Sequence, residues 1–368
     1  MKPLTLFACI ALILAPTGLA AAETAWQPEK TWAFVVGVLE FKDNKFSSFP
    51  KEGRRDERLV NTLKSRGVPT TQITYIQDKA ATTGHVRAEF EKFLDKPQEG
   101  DWVFFYFTGH GYNSSDHKET YLATYDAGDP VGGWAVNPIP KAINRRCKAS
   151  YAIMAVDNCN SGGLAEAVKN LSKPRVNFCV LTSAHWNSSS TPHWTFTENL
   201  IYGFAGEPFM DDNSDGVVTF DEIRANVLMD MTFAENQMPQ FAKTADFDTN
   251  WVVAKDRTKP DPKLGERAEF LSQGKWWTGF TVARDGEKRK VRYYGWDVKD
   301  DEWITPTQMR HPPRKEEWPV GTNVEAHSSG QWYAGRIVAV KEGLHLIKFE
   351  GWTADWNEWL PAEKLKKK

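Results

Sequence analysis

Two apolar runs, each leading into a reactive side chain and then glycine, constrain this chain more than any other feature. The first is Phe104-Phe105-Tyr106-Phe107-Thr108, followed by Gly109-His110-Gly111. The second is Ala155-Val156, followed by Asp157-Asn158-Cys159-Asn160-Ser161-Gly162-Gly163. Short unbroken apolar runs read as buried strands of a parallel sheet. In open α/β sheets the chemistry lies beyond the carboxyl ends of the strands. One strand end therefore delivers a histidine and another a cysteine, 49 residues later in sequence. The pair suits nucleophilic catalysis. A thiolate attacks, and an imidazole takes the thiol proton and later returns one to a leaving amine.

His110-Gly111 after one apolar run, and Asp157-x-Cys159-x-Ser161-Gly162 after the next, resemble the catalytic dyad of the caspase-like cysteine peptidases. This clan includes metacaspases, legumains and caspases. The resemblance covers roughly residues 30 to 255. It implies His110 and Cys159 as base and nucleophile, and Gly111 as a backbone donor to the oxyanion together with the Cys159 N–H. It also implies that Asp157 lines the primary specificity pocket, where a carboxylate favours Arg or Lys before the scissile bond. The alternative is that Asp157 caps the loop backbone. The caspase form Gln-Ala-Cys-x-Gly is absent, so cleavage after Asp is not implied.

A formal charge of -2 argues against a general nucleic-acid binder. Residues 1–22 read as a signal peptide: Lys2, an apolar stretch from Leu4 to Leu19, then Ala20-Ala21-Ala22 before Glu23. The expected location is secreted or periplasmic; the alternative is an uncleaved anchor, for which the stretch is short. No other segment is expected to insert in a membrane. Cys9 would leave with the leader, and Cys147, Cys159 and Cys179 remain. An odd count in an exported chain flags a free reactive thiol, for which Cys159 is the candidate. Cys147 and Cys179 could pair, but Cys179 sits in an apolar run and reads better as a buried free thiol.

Apolar strand patterns at Thr31 to Phe41, Gln72 to Ile76, Asp101 to Thr108, Ser150 to Val156 and Asn177 to Thr182 alternate with helical patterns. The helices are expected over Gly53 to Arg66, Thr83 to Leu94, Asn137 to Arg146, Trp194 to Phe204 and Phe220 to Met231. A short strand is expected near Tyr121 to Tyr125. The fold class is α/β: a caspase-like sandwich with a mainly parallel sheet flanked by helices, over residues 23–255.

Residues 256–265 are rich in Lys, Pro and Asp and read as a linker. A tandem repeat follows. Gly274-Lys275-Trp276-Trp277-Thr278-Gly279 recurs as Gly330-Gln331-Trp332-Tyr333-Ala334-Gly335, offset by 56. Gly295-Trp296 and Glu302-Trp303 recur at the same offset as Gly351-Trp352 and Glu358-Trp359. Each repeat predicts a small all-β SH3-like barrel of about five strands, at 266–311 and 320–366. The pattern resembles Tudor-knot or Agenet modules. Trp276, Trp277, Tyr293, Tyr294, Trp296 and Trp303 then form either a cation cage or a packed core with an exposed face for a protein or surface polymer.

The segment 211–222 fits the EF-hand loop formula. Asp211, Asn213, Asp215 and Glu222 would bind Ca2+ by side chain, Val217 by its carbonyl, and Thr219 directly or through water. The alternative is a polar turn that binds nothing. The chain thus reads as an exported cysteine endopeptidase acting on protein or peptide substrates, without a cofactor for catalysis. The alternative is a catalytically silent scaffold that binds through the tandem barrels.

Overall fold

The structure, a computed structural model, describes residues 25–128, 132–255 and 261–368. The leader at 1–22, with Cys9, and positions 256–260 of the linker lie outside these residues. Among the described residues no helix is long and apolar enough to cross a membrane.

The first part of the chain runs β1 (Thr31–Gly37), α1 (Arg55–Ser65), β2 (Ile73–Gln77), α2 (Thr83–Phe93), β3 (Trp102–Thr108), β4 (Gly111–Asn113), β5 (Thr120–Leu122), β6 (Trp134–Ala135), α3 (Pro138–Arg146) and β7 (Tyr151–Asp157). It continues with α4 (Gly163–Lys169), β8 (Asn177–Thr182), α5 (Thr195–Ala205), β9 (Val217–Thr219), α6 (Phe220–Ala234), β10 (Gln240–Lys243) and β11 (Val252–Lys255). Six strands form one sheet in the order β10-β8-β7-β3-β1-β2. All neighbours in it are parallel except β10, which runs antiparallel to β8. This is the caspase-like arrangement expected.

Strand side chains alternate between the two faces of a sheet, and β3 shows the result. Phe105 and Phe107 enter a core shared with Val86, Phe90 and Phe93 of α2, Ile139 and Ile143 of α3, and Leu164 of α4. Phe104 and Tyr106 enter the opposite core with Leu59 and Leu63 of α1, Phe196 and Leu200 of α5, and Ile223 and Val227 of α6. Burial on both faces is why β3 and β7 carry no solvent-facing polar alternation.

Several elements depart from the expectation, among them α4, β10 and the short strands β4, β6, β9 and β11. α4 begins directly behind the cysteine loop, and β10 closes the sheet edge; their short, mixed sequences carry no clear period. The first strand ends at Gly37, not Phe41, because residues 38–50 leave the sheet to form one wall of the site.

The repeats fold as two curled antiparallel half-barrels of five strands. The first holds β12 (Arg267–Ser272), β13 (Lys275–Asp285), β14 (Lys288–Tyr293), β15 (Glu302–Ile304) and β16 (Met309–Arg310). The second holds β17 (Asn323–Ser328), β18 (Gln331–Lys341), β19 (Leu344–Phe349), β20 (Glu358–Pro361) and β21 (Leu365–Lys367). Strand orders β15-β14-β13-β12-β16 and β20-β19-β18-β17-β21 correspond one to one. Even the irregularity after Thr281 recurs after Ile337. The cores match at the same offset: Ala268, Phe270, Val291 and Ile304 against Val324, Ala326, Ile347 and Leu360.

Candidate active site

β3 and β7 pair in parallel with Thr108 opposite Asp157. These residues are also 49 apart in sequence, the spacing of His110 and Cys159. The two reactive residues therefore leave adjacent strands at the same height, two positions beyond the last pair. The Gly109 N–H donates to the Asp157 carbonyl at 3.4 Å, extending the ladder towards them. Gly109 has φ +146°, and a Cβ there would stand 2.7 Å from the Val38 carbonyl oxygen. Only glycine turns the chain here without a clash. At Gly111 a Cβ would collide with the Cys159 carbonyl oxygen and the Asn158 amide. The histidine and cysteine loops thus touch through a glycine backbone.

His110 lies among Phe49, Phe41 and Phe46, with ring centroids at 4.5, 5.0 and 5.5 Å. Its Nε2 lies 2.8 Å from the Ser47 carbonyl oxygen. A carbonyl only accepts, so Nε2 carries a hydrogen, and in the neutral ring Nδ1 is then the free base. Cys159 Sγ accepts from the Ser190 N–H at 3.2 Å. Asn158 Nδ2 donates to the His110 carbonyl at 3.4 Å, a second link between the two loops. His110 and Cys159 both line a cavity of about 300 Å³, together with Asp157, Glu52, His193 and Trp194.

Asp157 is buried at the end of β7 and lines this cavity. Its Oδ2 accepts from Thr197 Oγ1 at 2.6 Å, and Thr197 Oγ1 also pairs with the Tyr106 hydroxyl at 2.5 Å. Burial pushes the Asp157 carboxyl up to about 6, against the pull of the Thr197 and Ser183 hydroxyls. His193 Nδ1 sits 2.9 Å from Glu235 Oε2 at the same rim. Glu52, His193 and Glu235 come from loops and a helix end remote in sequence, and no motif marks them. Cys147 and Cys179 are free and buried, and burial pushes the Cys179 thiol up to about 12.

The 211–222 loop sits elsewhere, between α5 and α6. Asp211 accepts from the Asp215 and Gly216 N–H groups at 3.2 and 2.8 Å. Asn213 Oδ1 accepts from the Asp215 N–H at 2.8 Å, and Asp215 Oδ1 from the Val217 N–H at 3.1 Å. Glu222 acts in the N-terminal capping box of α6, accepting from the Thr219 N–H at 2.8 Å, and its other oxygen accepts from the Asp212 N–H at 3.1 Å. Among the described residues no group of three or more His, Cys, Asp or Glu side chains is gathered as a metal cluster.

The six aromatics of the first half-barrel divide. Trp277, Tyr293 and Trp296 cluster, with centroids 5.0 and 5.3 Å from Trp296. Tyr294 turns the other way and donates its hydroxyl to Asp230 of α6 at 2.7 Å. Trp276 lies under the Arg310 guanidinium at 4.2 Å, and Trp303 is exposed. A single six-residue cage is therefore not what forms, because strand alternation sends neighbouring rings to opposite faces.

No protein-family model and no curated protein matches the sequence. Solved structures similar to the chain include a Geobacter sulfurreducens protein, 14% identical, with a TM-score of 0.43, covering 63% of this chain and 98% of that one. They also include caspase-1 from Spodoptera frugiperda, 11% identical, with a TM-score of 0.41, covering 64% of this chain and 94% of that one. The fold assignment rests on the strand order and helix layers given above.

Proposed function

We propose that the protein is a cysteine endopeptidase that cleaves after Arg or Lys. The observation that carries the reading is the shared height of His110 and Cys159 beyond the Thr108–Asp157 pair. His110 Nδ1 takes the Cys159 proton, and Sγ attacks the scissile carbonyl carbon. The resulting oxyanion is met by the N–H groups of Gly111 and Cys159. As the C–N bond breaks, His110 returns the proton to the leaving amine. Water then attacks the thioester, giving its proton to His110, and Sγ leaves as the acid is released. In the free protein Sγ and the imidazole hold other partners; catalytic hydrogen bonds commonly tighten only with substrate bound. Ca2+ in the 211–222 loop is proposed as a structural addition, because the donor set is all oxygen. No chemical step passes through it.

The test is hydrolysis of arginyl and lysyl peptides by the full chain, with labelling by a peptidyl electrophile. Cys159→Ala and His110→Ala should each abolish turnover, since members of one nucleophile–base unit fail together. A folded variant with near-full activity would overturn the dyad. Wild-type protein that neither cleaves nor labels would favour a silent scaffold.

Asp157 gives a second test through pH. Its carboxyl binds a proton more tightly in the folded chain, at about 6, than an ordinary aspartate does, at 3.8. The neutral form therefore favours the fold. That contribution is complete below about 3.8 and is lost as pH rises through about 6. Asp157→Asn should raise Tm at pH 8, by an amount equivalent to at most roughly 3 kcal/mol, and leave it nearly unchanged at pH 3.5. It should also remove the preference for Arg and Lys. For these substrates wild-type kcat/KM should climb as pH passes 6 and the carboxylate ionises. A pH-independent effect of the substitution on Tm would show that Asp157 is not held in the state described.

A further inference from the structure

A second cavity, of about 250 Å³, lies where the second half-barrel meets the catalytic loops. One wall is aromatic. Trp352 stands 4.8 Å from Trp356 at 78° and 5.7 Å from Tyr333 at 71°, centroid to centroid. Such rings present negative π-faces to a cation. Glu358 adds a carboxylate to the same wall, held by the Ser328 hydroxyl. The opposite wall belongs to the catalytic domain. Asn160, directly after Cys159, lies there with φ +60° and donates its N–H to the Ser188 carbonyl at 2.8 Å. His117 closes the rim, its ring 3.8 Å from that of Trp356.

Two buried polar atoms on this lining, Ser188 Oγ and His117 Nδ1, have no hydrogen-bond partner. Buried polar atoms are nearly always paired, so an unpaired couple at one cavity points to a missing ligand. An apolar ligand would leave both unsatisfied. An anion would meet the Glu358 carboxylate. A Lys or Arg side chain can donate to Ser188 Oγ, to an unprotonated His117 Nδ1 and to the Glu358 carboxylate while its stem lies against the rings.

The position decides whose side chain it is. Residues 187–194 form one continuous segment over Cys159. Ser190 to Trp194 line the cavity that contains Asp157, whereas Asn187 to Ser189 line this one. The two cavities therefore flank the nucleophile. We infer that the second cavity is a specificity site for a Lys or Arg side chain on the leaving-group side of the scissile bond, an inference that rests on the peptidase reading. The second half-barrel is then part of the substrate cleft, not an appendage that binds elsewhere.

The experiment uses internally quenched peptides with Arg before the scissile bond and either Lys or norleucine at the three positions after it. The readout is the ratio of kcat/KM for the Lys and norleucine peptides within each protein, which cancels any loss of folded material. Wild type should favour Lys by about tenfold, the size of a partly desolvated cation–π and carboxylate contact. Trp352→Ala and Glu358→Gln should each bring the ratio near one; Trp352 is 40% exposed, so its removal spares the core. A wild-type ratio near one, or a preference unchanged in both variants, overturns the inference. If no peptide is cut, binding of the same two peptides to Cys159→Ala protein, read by tryptophan fluorescence, separates the two ideas. A Lys preference lost with Trp352 keeps the cationic site while the peptidase reading falls. Equal binding of both peptides overturns the site as well.

Discussion

The two half-barrels share strand order, core and irregularity, yet they meet the α/β domain in different ways. The first is welded to it. Phe280 enters the core beside α5, with centroids 5.1 Å from Phe209 and 6.2 Å from Tyr202. Arg267 pairs with buried Asp230 of α6 and donates to Asn226 Oδ1 at 2.6 Å. The Arg292 guanidinium lies 5.1 Å from the Tyr202 ring, and Arg55 of α1 reaches Asp297 at 2.8 Å. At the offset of 56 the second unit carries Arg336, Asn323, Lys348 and Thr353. None of these can fill the same roles. It touches the loops of the α/β domain through Trp356 instead, where the first unit has Asp300. One repeat became structure and its copy kept an open aromatic face. Conserved backbone geometry thus says little about which face a repeat commits to packing.

The comparison breaks most readily at the weld. Phe280→Ala should cost about 3–5 kcal/mol as a large-to-small core change, and Arg267→Ala a similar amount by leaving Asp230 buried without its cation. Either should lower Tm by roughly 10 °C. The equivalent changes Arg336→Ala and Asn323→Ala, at exposed sites, should stay within about 0.5 kcal/mol. Thermal melts of the four variants that showed equal losses in both units would erase the distinction.

A smaller effect is expected at Lys315. Its Nζ donates to the Thr232 carbonyl and to Asn236 at the end of α6, while its stem lies against Gly343 in the β18–β19 turn. It is therefore a rivet between the second unit and the body, and burial lowers its pKa. Lys315→Met should cost about 2 kcal/mol in charged hydrogen bonds. Limited proteolysis between residues 311 and 320 should accelerate, with the first unit unaffected. Unchanged cleavage would mean that the aromatic seam alone holds the second unit.

Calcium should have the smallest effect and should act on one side only. Asn226 donates both to Asp212 of the 211–222 loop and to the Glu222 carbonyl, and its Oδ1 receives Arg267. A loaded loop would firm up the helix that holds the first unit. At ten times Kd, mass action gives about 1.4 kcal/mol, a few degrees of Tm at most. Asp215→Ala and Glu222→Gln should remove the shift. Superimposable melts in millimolar calcium and in chelator would show a turn that binds no ion.

The alternation of apolar runs with helical patterns made the sheet legible, because burial on both faces leaves an unbroken apolar signature in β3 and β7. The repeat was legible for a different reason: half-barrel cores recur at fixed spacing, so Trp-x-x-Gly marks matching strands and Gly-Trp matching turns. What the sequence could not convey was tertiary choice. Nothing near Tyr294 distinguishes a cage residue from one that reaches Asp230. Glu52 and His193 line one cavity, and Glu235 pairs with His193, only because three remote segments converge. The asymmetry between Phe280 and Arg336 was visible as a difference, but its meaning required seeing α5 beside it.

The match between sequence spacing and strand register at Thr108 and Asp157 also bears on how such a chain can diverge. The heights of His110 and Cys159 are set by the β3–β7 ladder, with strands about 4.8 Å apart, and not by the residues joining them. The intervening chain, including β4 to β6 and α3, can lengthen or shorten without shifting either side chain along its strand. Long surface insertions cost little in loop entropy. The loops joining these strands are thus free to drift while His110 and Cys159 stay aligned, and any one-residue slip of the ladder itself would turn the apolar residues of β3 to the wrong faces and be lost with the fold.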